Sequence, residues 1–545
     1  MEKRILLRAG IKKHKVSLAG IWILLFLTTL SLCTVVFVSM NGNRYVKEEI
    51  RRIGFGTLTA WVSDVPDTEE LAENIGQQEG VESVSIQELV FSDYEANGTE
   101  SDSEGQLLVW NPEKNSYRFL KNDFSGYADA PNEIDENEIY VSPSMRNILN
   151  LQVGDTISFR IARSGKNASF IVAGYFEDPV MGSSIIGMKS FLISQKSYDA
   201  IMQIIQTEGS DALARTGAML HITEDRSASL TVSDLNQRLN ENTSLSEYTE
   251  YVHSADTMAS FMLILQNAFC GFLAAFSIVL LFTVLIVLAH SISGIIEQDW
   301  KNIGILKTIG IGGRELVQIQ TIQYMISIVL GLLAGVFGSV PIEKVVSQSI
   351  VTTSGVLVPA GIPILPSIGI FILLTALILL FIVWKLRGIH EISPIDTIQM
   401  KGKKEGELKQ KKYRKQFQIS GKSFHLRLAI RQVLSGKKHY LAACLVAVLL
   451  VFVTSMAGRM YDWLGADGQG MMDAFNPANL DMGIQVLGDL SQDEMEQIVR
   501  SYTEITDSYE LAMQNVSVNG TNYTANVITE PERFHISSGK TSSEA

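Results

Sequence analysis

A chain of 545 residues is too long for one ordinary domain, so several folding units are expected. Its charged fraction of 19%, mean hydropathy of +0.17 and net charge of −13 are averages over unlike segments. Residues 41–257 hold 35 Asp/Glu against 16 Lys/Arg and residues 461–545 hold 14 against 3, whereas residues 385–438 carry 15 Lys/Arg against 4 acids. This is the pattern of a membrane protein whose basic loops face the cytoplasm. It argues against nucleic acid as a partner, because the basic loop adjoins apolar runs, lacks interleaved aromatics and suits anionic membrane lipid.

Residues 1–17 form a cytoplasmic N-terminus with Lys3, Arg4, Arg8, Lys12, Lys13 and Lys15. The apolar run 18–40 is long enough for a hydrocarbon core of about 30 Å and is the first expected span. A cleaved signal peptide would have a shorter apolar region and small residues at its exit; Phe37-Val-Ser-Met-Asn-Gly42 is a poor exit. Residues 41–257 are expected to form a soluble α+β extracytoplasmic domain. Thr57–Val62 and Val81–Val90 read as strands around a helix at Thr68–Gln78, a β-α-β unit. Ala96–Gly105, acidic with Gly and Ser, reads as a mobile loop. Glu138-Ile-Tyr-Val-Ser-Pro143 precedes a short helix at Ser144–Asn150, the stretch Leu151-Gln-Val-Gly-Asp155-Thr-Ile-Ser-Phe159 and a strand at Phe170–Phe176. Thr231–Asn240 reads as a further helix.

Residues 261–289, 316–340, 367–384 and 440–457 are the second to fifth expected spans. The third contains Gly331, Gly335 and Gly338, a small-residue face that lets two helices approach closely. Residues 341–366 read as an outer loop and 385–438 as a basic cytoplasmic linker. Arg8, Lys15, Leu18 and Ala19 align without gaps with Arg431, Lys438, Leu441 and Ala442, an offset that points to two related halves. Residues 458–545 would then be the incomplete start of a second extracytoplasmic domain, in a fragment or a naturally shorter form. Cys33, Cys270 and Cys444 lie in or beside apolar runs, so the outer segments must rely on packed cores instead of disulfides.

Residues 293–313, SGIIEQDWKNIGILKTIGIGG, join the second and third spans. Ile292, Ile296, Trp300, Ile303 and Leu306 share one helical stripe, with Glu297, Asp299, Lys301 and Asn302 turned away. The helix is expected to end in the glycines Gly310, Gly312 and Gly313. On physical grounds it is either an interfacial helix or a lever on the spans. The run Asn302-Ile-Gly-Ile-Leu-Lys-Thr-Ile-Gly310 resembles the "EIGILKAIG" signature of FtsX-like ABC-transporter permeases, matching at Ile303, Gly304, Ile305, Leu306, Lys307, Ile309 and Gly310. It departs where that family has a Glu-Arg pair and a following acid: here stand Gln298, Asp299 and Asn302. The Glu138–Phe159 stretch resembles the extracytoplasmic domain of MacB-type permeases. His390-Glu-Ile-Ser-Pro394-Ile-Asp-Thr-Ile resembles the "hPIeaLr" segment after the last helix of a permease half.

The resemblance implies a membrane α-helical bundle of about five spans with an α+β MacB-type extracytoplasmic domain. It implies a non-catalytic permease subunit of a bacterial inner membrane, multi-pass and without a cofactor. A separate ABC ATPase would dock on the cytoplasmic coupling helix through Trp300, Ile303, Gly304, Ile305, Leu306, Lys307 and Gly310. A homodimer or second permease half would complete the complex, and the substrate would be hydrophobic, peptide or lipoprotein in type. Two alternatives stay open: a regulator that activates cell-wall hydrolases, and a membrane-anchored adhesion or sensor protein. The Gly-Lys pairs at Gly165, Gly421 and Gly539 have Arg160, Gln416 and Phe534 where a phosphate-cradling loop needs glycine. Zinc-protease and serine-hydrolase signatures are also missing. The spans carry almost no Asp, Glu or His, which argues against ion-coupled transport.

Overall fold

The computed structural model of the chain describes residues 2–389, 437–464, 483–484, 490–518 and 521–533, apart from residues 102, 115 and 229. The chain divides into two compact units. A helical unit comprises Met1–Val38, Phe269–Glu343 and Gly361–Trp463, and a sheet unit comprises Ser39–Ala268, Lys344–Ala360 and Leu464–Ala545.

Among the described residues, four helices are long and apolar enough to cross a membrane: Lys15–Arg52, Gln266–Gln298, Gly313–Ser354 and Ile364–Leu386. The last shows how the helical unit is built. Leu374, Ile378, Ile382 and Leu386 recur every fourth residue and are buried, while Ile372, Leu373, Leu380 and Trp384 on its other faces are exposed. A helix apolar on every side suits a solvent of lipid on one side and protein on the other. Its buried stripe joins Leu18, Ile21, Leu25, Val284, Leu288, Ile328 and Leu332 in one core.

The fifth expected span, 440–457, lies inside the helix Lys437–Leu464. One expectation changes here. The outer loop expected at 341–366 is helical for much of its length, because Gly313–Ser354 runs on through Pro341. Proline removes one backbone donor and normally kinks or ends a helix. Here apolar residues resume beyond it, and Val351 and Leu357 are buried in a sheet-unit core.

In the sheet unit, one large mixed sheet runs in the order Thr249–Ser254, Leu58–Ser63, Arg215–Glu224, Val81–Ser92, Gly105–Val109, Lys189–Ile193, Glu138–Val141, Asn167–Phe176, Thr156–Arg160, Tyr94–Ala96 and Thr99–Glu100. The expected β-α-β unit is present in split form. Arg215–Glu224 lies between Leu58–Ser63 and Val81–Ser92 and pairs antiparallel with both. Helices Thr68–Gly76 and Val232–Asn242 cover one end through Leu71, Ile75, Leu235 and Leu239. Each starts on a capped residue: Asp67 accepts from the Glu70 N–H, and Thr231 forms a capping box with Asp234.

The stretch read as a mobile loop contains a tight hairpin instead. Tyr94–Ala96 pairs with Thr99–Glu100 around Asn97-Gly98, both with positive φ (53° and 76°). Asn-Gly is the dipeptide that best tolerates such a turn. A second polar segment, Leu511–Val518 with Thr521–Ile528, forms another antiparallel hairpin.

Candidate coupling site

The stretch 293–313 is not one helix. Ala255–Gln298 stops, Asp299 takes a non-helical conformation, and a short helix runs Trp300–Thr308. It closes on Gly310 at φ 103°, with Gly310 N–H donating to Lys307 O (3.2 Å) and Ile311 N–H to Leu306 O (3.1 Å). This double bond around a left-handed glycine is the usual way to satisfy a helix's last carbonyls.

The apolar stripe faces the helical core. Ile292 and Ile303 are buried, and Ile296, Trp300 and Leu306 pack against the same cluster. Gly304 is buried too. The expected face is therefore split: Ile303, Gly304, Trp300 and Leu306 look inward, whereas Ile305 is 54% and Ile309 73% exposed. Gly310 is exposed beside them. Lys307 is part-buried and donates to the Ile389 carbonyl (2.7 Å), tying the short helix to the turn that follows Ile364–Leu386. Burial lowers the pKa of its ammonium.

Asp299 was expected to point away, and it does not. Its carboxylate accepts from Lys13 Nζ and from His14 Nε2 (3.0 Å). Burial works against its charge, yet those hydrogen bonds and the nearby Lys13 charge hold its pKa below the usual carboxylate range. The alternation of charge and apolarity around 299 gave no hint of a partner so far away in the chain.

Gly331, Gly335 and Gly338 lie against the first helix. A Cβ at Gly335 would stand 2.6 Å from Thr29 Cβ and 2.9 Å from Phe26 O. One at Gly331 would stand 3.0 Å from Trp22 O, and one at Gly338 2.9 Å from the Phe26 ring. Glu343, hidden by reading Pro341 as a helix stop, is fully buried; one carboxylate oxygen accepts from Ser339 (2.8 Å). Its other oxygen has no partner among the described residues.

The sheet unit has a polar joint of its own. Glu177, at the end of strand Asn167–Phe176, accepts from the Tyr45 hydroxyl (2.8 Å) and the Leu357 N–H (2.6 Å). Tyr127 donates to the Leu357 carbonyl (2.8 Å). Buried Glu49 pairs with Arg52 (2.5 Å) and Arg118 (3.1 Å). Ser184 N–H donates to Thr353 O (2.8 Å), and a Cβ on Gly355 would collide with the Gly182 backbone. Burial pushes Glu177 up to about 7, against the lowering effect of the Leu357 N–H and Tyr45. Helix Gly42–Arg52 and residues 351–358 are thus stitched to the same strand end. In sequence, Glu177 and Asp178 look like any acidic turn; only their burial distinguishes them.

Residues 274–394 match the family model described as FtsX-like permease C-terminal. No curated protein matches the chain. Among solved structures, the periplasmic region of MacB from Actinobacillus actinomycetemcomitans is matched at 13% identity and a TM-score of 0.20, over 41% of this chain and 98% of that one. The matched segment 274–394 contains the short helix, its Gly310 closure and the three glycines at 331, 335 and 338, so this stretch of the helical unit is similar to the C-terminal domain of FtsX-like permeases.

Proposed function

We propose that the chain is the membrane subunit of an ATP-binding cassette system, with a separate ATPase chain docking on Trp300–Thr308. The observation that carries this reading is the short helix itself. It is held at Asp299 and at Lys307, and it leaves Ile305 and Ile309 outside in an otherwise packed element. Exposed apolar residues on a braced helix suit insertion into a partner's groove. The N-terminus and residues 293–313 lie on the cytoplasmic side in this reading, and the sheet unit, a MacB-type outer domain, lies on the other. The cell membrane of a bacterium is the setting, and a homodimer or second permease half completes the complex. ATP-driven closure of the ATPase favours one state of the short helix over another, and that differential affinity does the work. The cargo is hydrophobic, peptide or lipoprotein in type.

Co-purification with the ABC ATPase encoded beside this gene tests the proposal. Ile305→Glu with Ile309→Glu is expected to abolish capture without unfolding the protein, since both side chains are exposed. Failure of the parent chain to capture any ATPase would overturn the reading and favour an adhesion or sensor protein.

A further inference from the structure

Asp299 precedes the helix Trp300–Thr308 in the position where an aspartate normally caps, yet its side chain makes no capping bond. Its two oxygens instead go to Lys13 and His14, at the end of the N-terminal helix Glu2–Lys13. That choice forgoes a local bond for a distant one, across 285 residues in the case of His14.

The N-terminal helix is seated to make it. Gly10 sits so close to the buried Gln323 that a Cβ would collide with its amide. Just beyond the helix, the Ser17 and Ser291 hydroxyls share a hydrogen bond (2.6 Å). His14 is only 8% exposed, so its ring cannot turn to water while the helix stays packed. A partly buried carboxylate paired with an ammonium and hydrogen-bonded to a buried imidazole is screened less than a surface pair and holds geometry better.

We infer that Lys13, His14 and Asp299 form a clasp that makes the N-terminal helix a working part of the coupling element. It sets the position of Trp300–Thr308 for its partner. This rests on the proposed docking role. Lys13 and His14 are positioning residues: neither side chain belongs to the outward Ile305 and Ile309 face. With Lys307 on Ile389 O, the short helix is held at both ends. Opening one end would let it swing while the apolar contact residues stay intact.

The test uses the full chain in lipid nanodiscs. Hydrogen exchange is read at the amides of 300–310 in the parent, in Asp299→Ala, in Lys13→Ala, and in the charge-swapped pair Lys13→Asp with Asp299→Lys. Exchange is expected to quicken about tenfold in Asp299→Ala and less in Lys13→Ala. The swapped pair should recover most of the protection. With the ATPase added, Asp299→Ala should still capture it but lose stimulation of its turnover, and the swap should regain it; a merely structural contact would not separate capture from stimulation. Unchanged exchange in both alanine variants overturns the clasp. If the parent captures no ATPase, the docking role falls, while the exchange data still decide whether the clasp exists.

Discussion

The two units handle most of their polar groups differently. Inside the helical unit, Glu343 apart, several polar contacts are between short side chains or from them to nearby carbonyls: Ser17 with Ser291, Ser31 with Ser277 (2.7 Å), and Thr28 and Thr34 back to carbonyls one turn earlier. The sheet unit instead buries whole charges, Glu177, Asp178 and Lys189, each at most 1% exposed. Lys189 Nζ donates to the carbonyls of Met181 (3.3 Å), Ser183 (2.8 Å), Ile186 and Met188 (3.4 Å). Burial pushes its pKa down to about 7, against the opposing pull of Asp178. The difference follows from solvent. A helix in lipid satisfies its own backbone, so shape can set its packing. A loop folded over a sheet has stray carbonyls, and a buried ammonium can gather them.

The sharpest way to break the comparison is to remove the ammonium. Lys189→Ala leaves four carbonyls without their donor and Asp178 without its opposing charge, and breaking such a buried charge site typically costs about 3–5 kcal/mol. Thermal unfolding of the purified chain should show the sheet unit melting first and much earlier. A loss under 1 kcal/mol would mean that the loop closes without the charge.

Shape should matter comparably in the other unit. Gly335→Leu forces a side chain into the Thr29 and Phe26 backbone contact and should cost about 3 kcal/mol. Gly369→Leu, where nothing lies within 4 Å, is the control and should be close to neutral. Equal melting of the two variants would remove the argument that the first and third long helices are set by close approach.

A smaller effect is expected at Glu177. Its pKa is raised from 4.5 to about 7, so between those values the folded state keeps a proton that the unfolded state has released. The stability from this group is therefore full below pH 4.5 and is lost as pH rises through 7. It amounts to at most about 3 kcal/mol. Lys189, shifted down to about 7, works in the opposite direction, losing its contribution as pH falls through 7. The reading is thus the difference between the parent and Glu177→Gln, not either curve alone. That difference should grow between pH 5 and 8, and a flat difference would show that the joint does not titrate there.

Much of this was legible in the chain. The four helices that are long and apolar enough to cross a membrane among the described residues follow from runs of apolar residues, because lipid demands them. The start of Val232–Asn242 at Thr231 and the glycine at 310 follow from local backbone chemistry. The Asn97-Gly98 dipeptide favours the observed hairpin, but it lies in an acidic stretch with Gly and Ser whose composition reads as a loop. The spacing also puts Ile292, Ile296, Trp300, Ile303 and Leu306 on one stripe, but a period says which residues are together and not which side is covered.

What the sequence by itself determined is therefore local: where helices and turns can form, and which residues share a stripe. Only the tertiary structure decided that Arg215–Glu224 enters between two strands far from it in the chain. It also turned Asp299 toward Lys13 and His14, and placed Glu177 between Tyr45 and Leu357. Those are contacts between distant segments. Their free energy comes from excluding water from paired polar groups, and no window along the chain contains both partners.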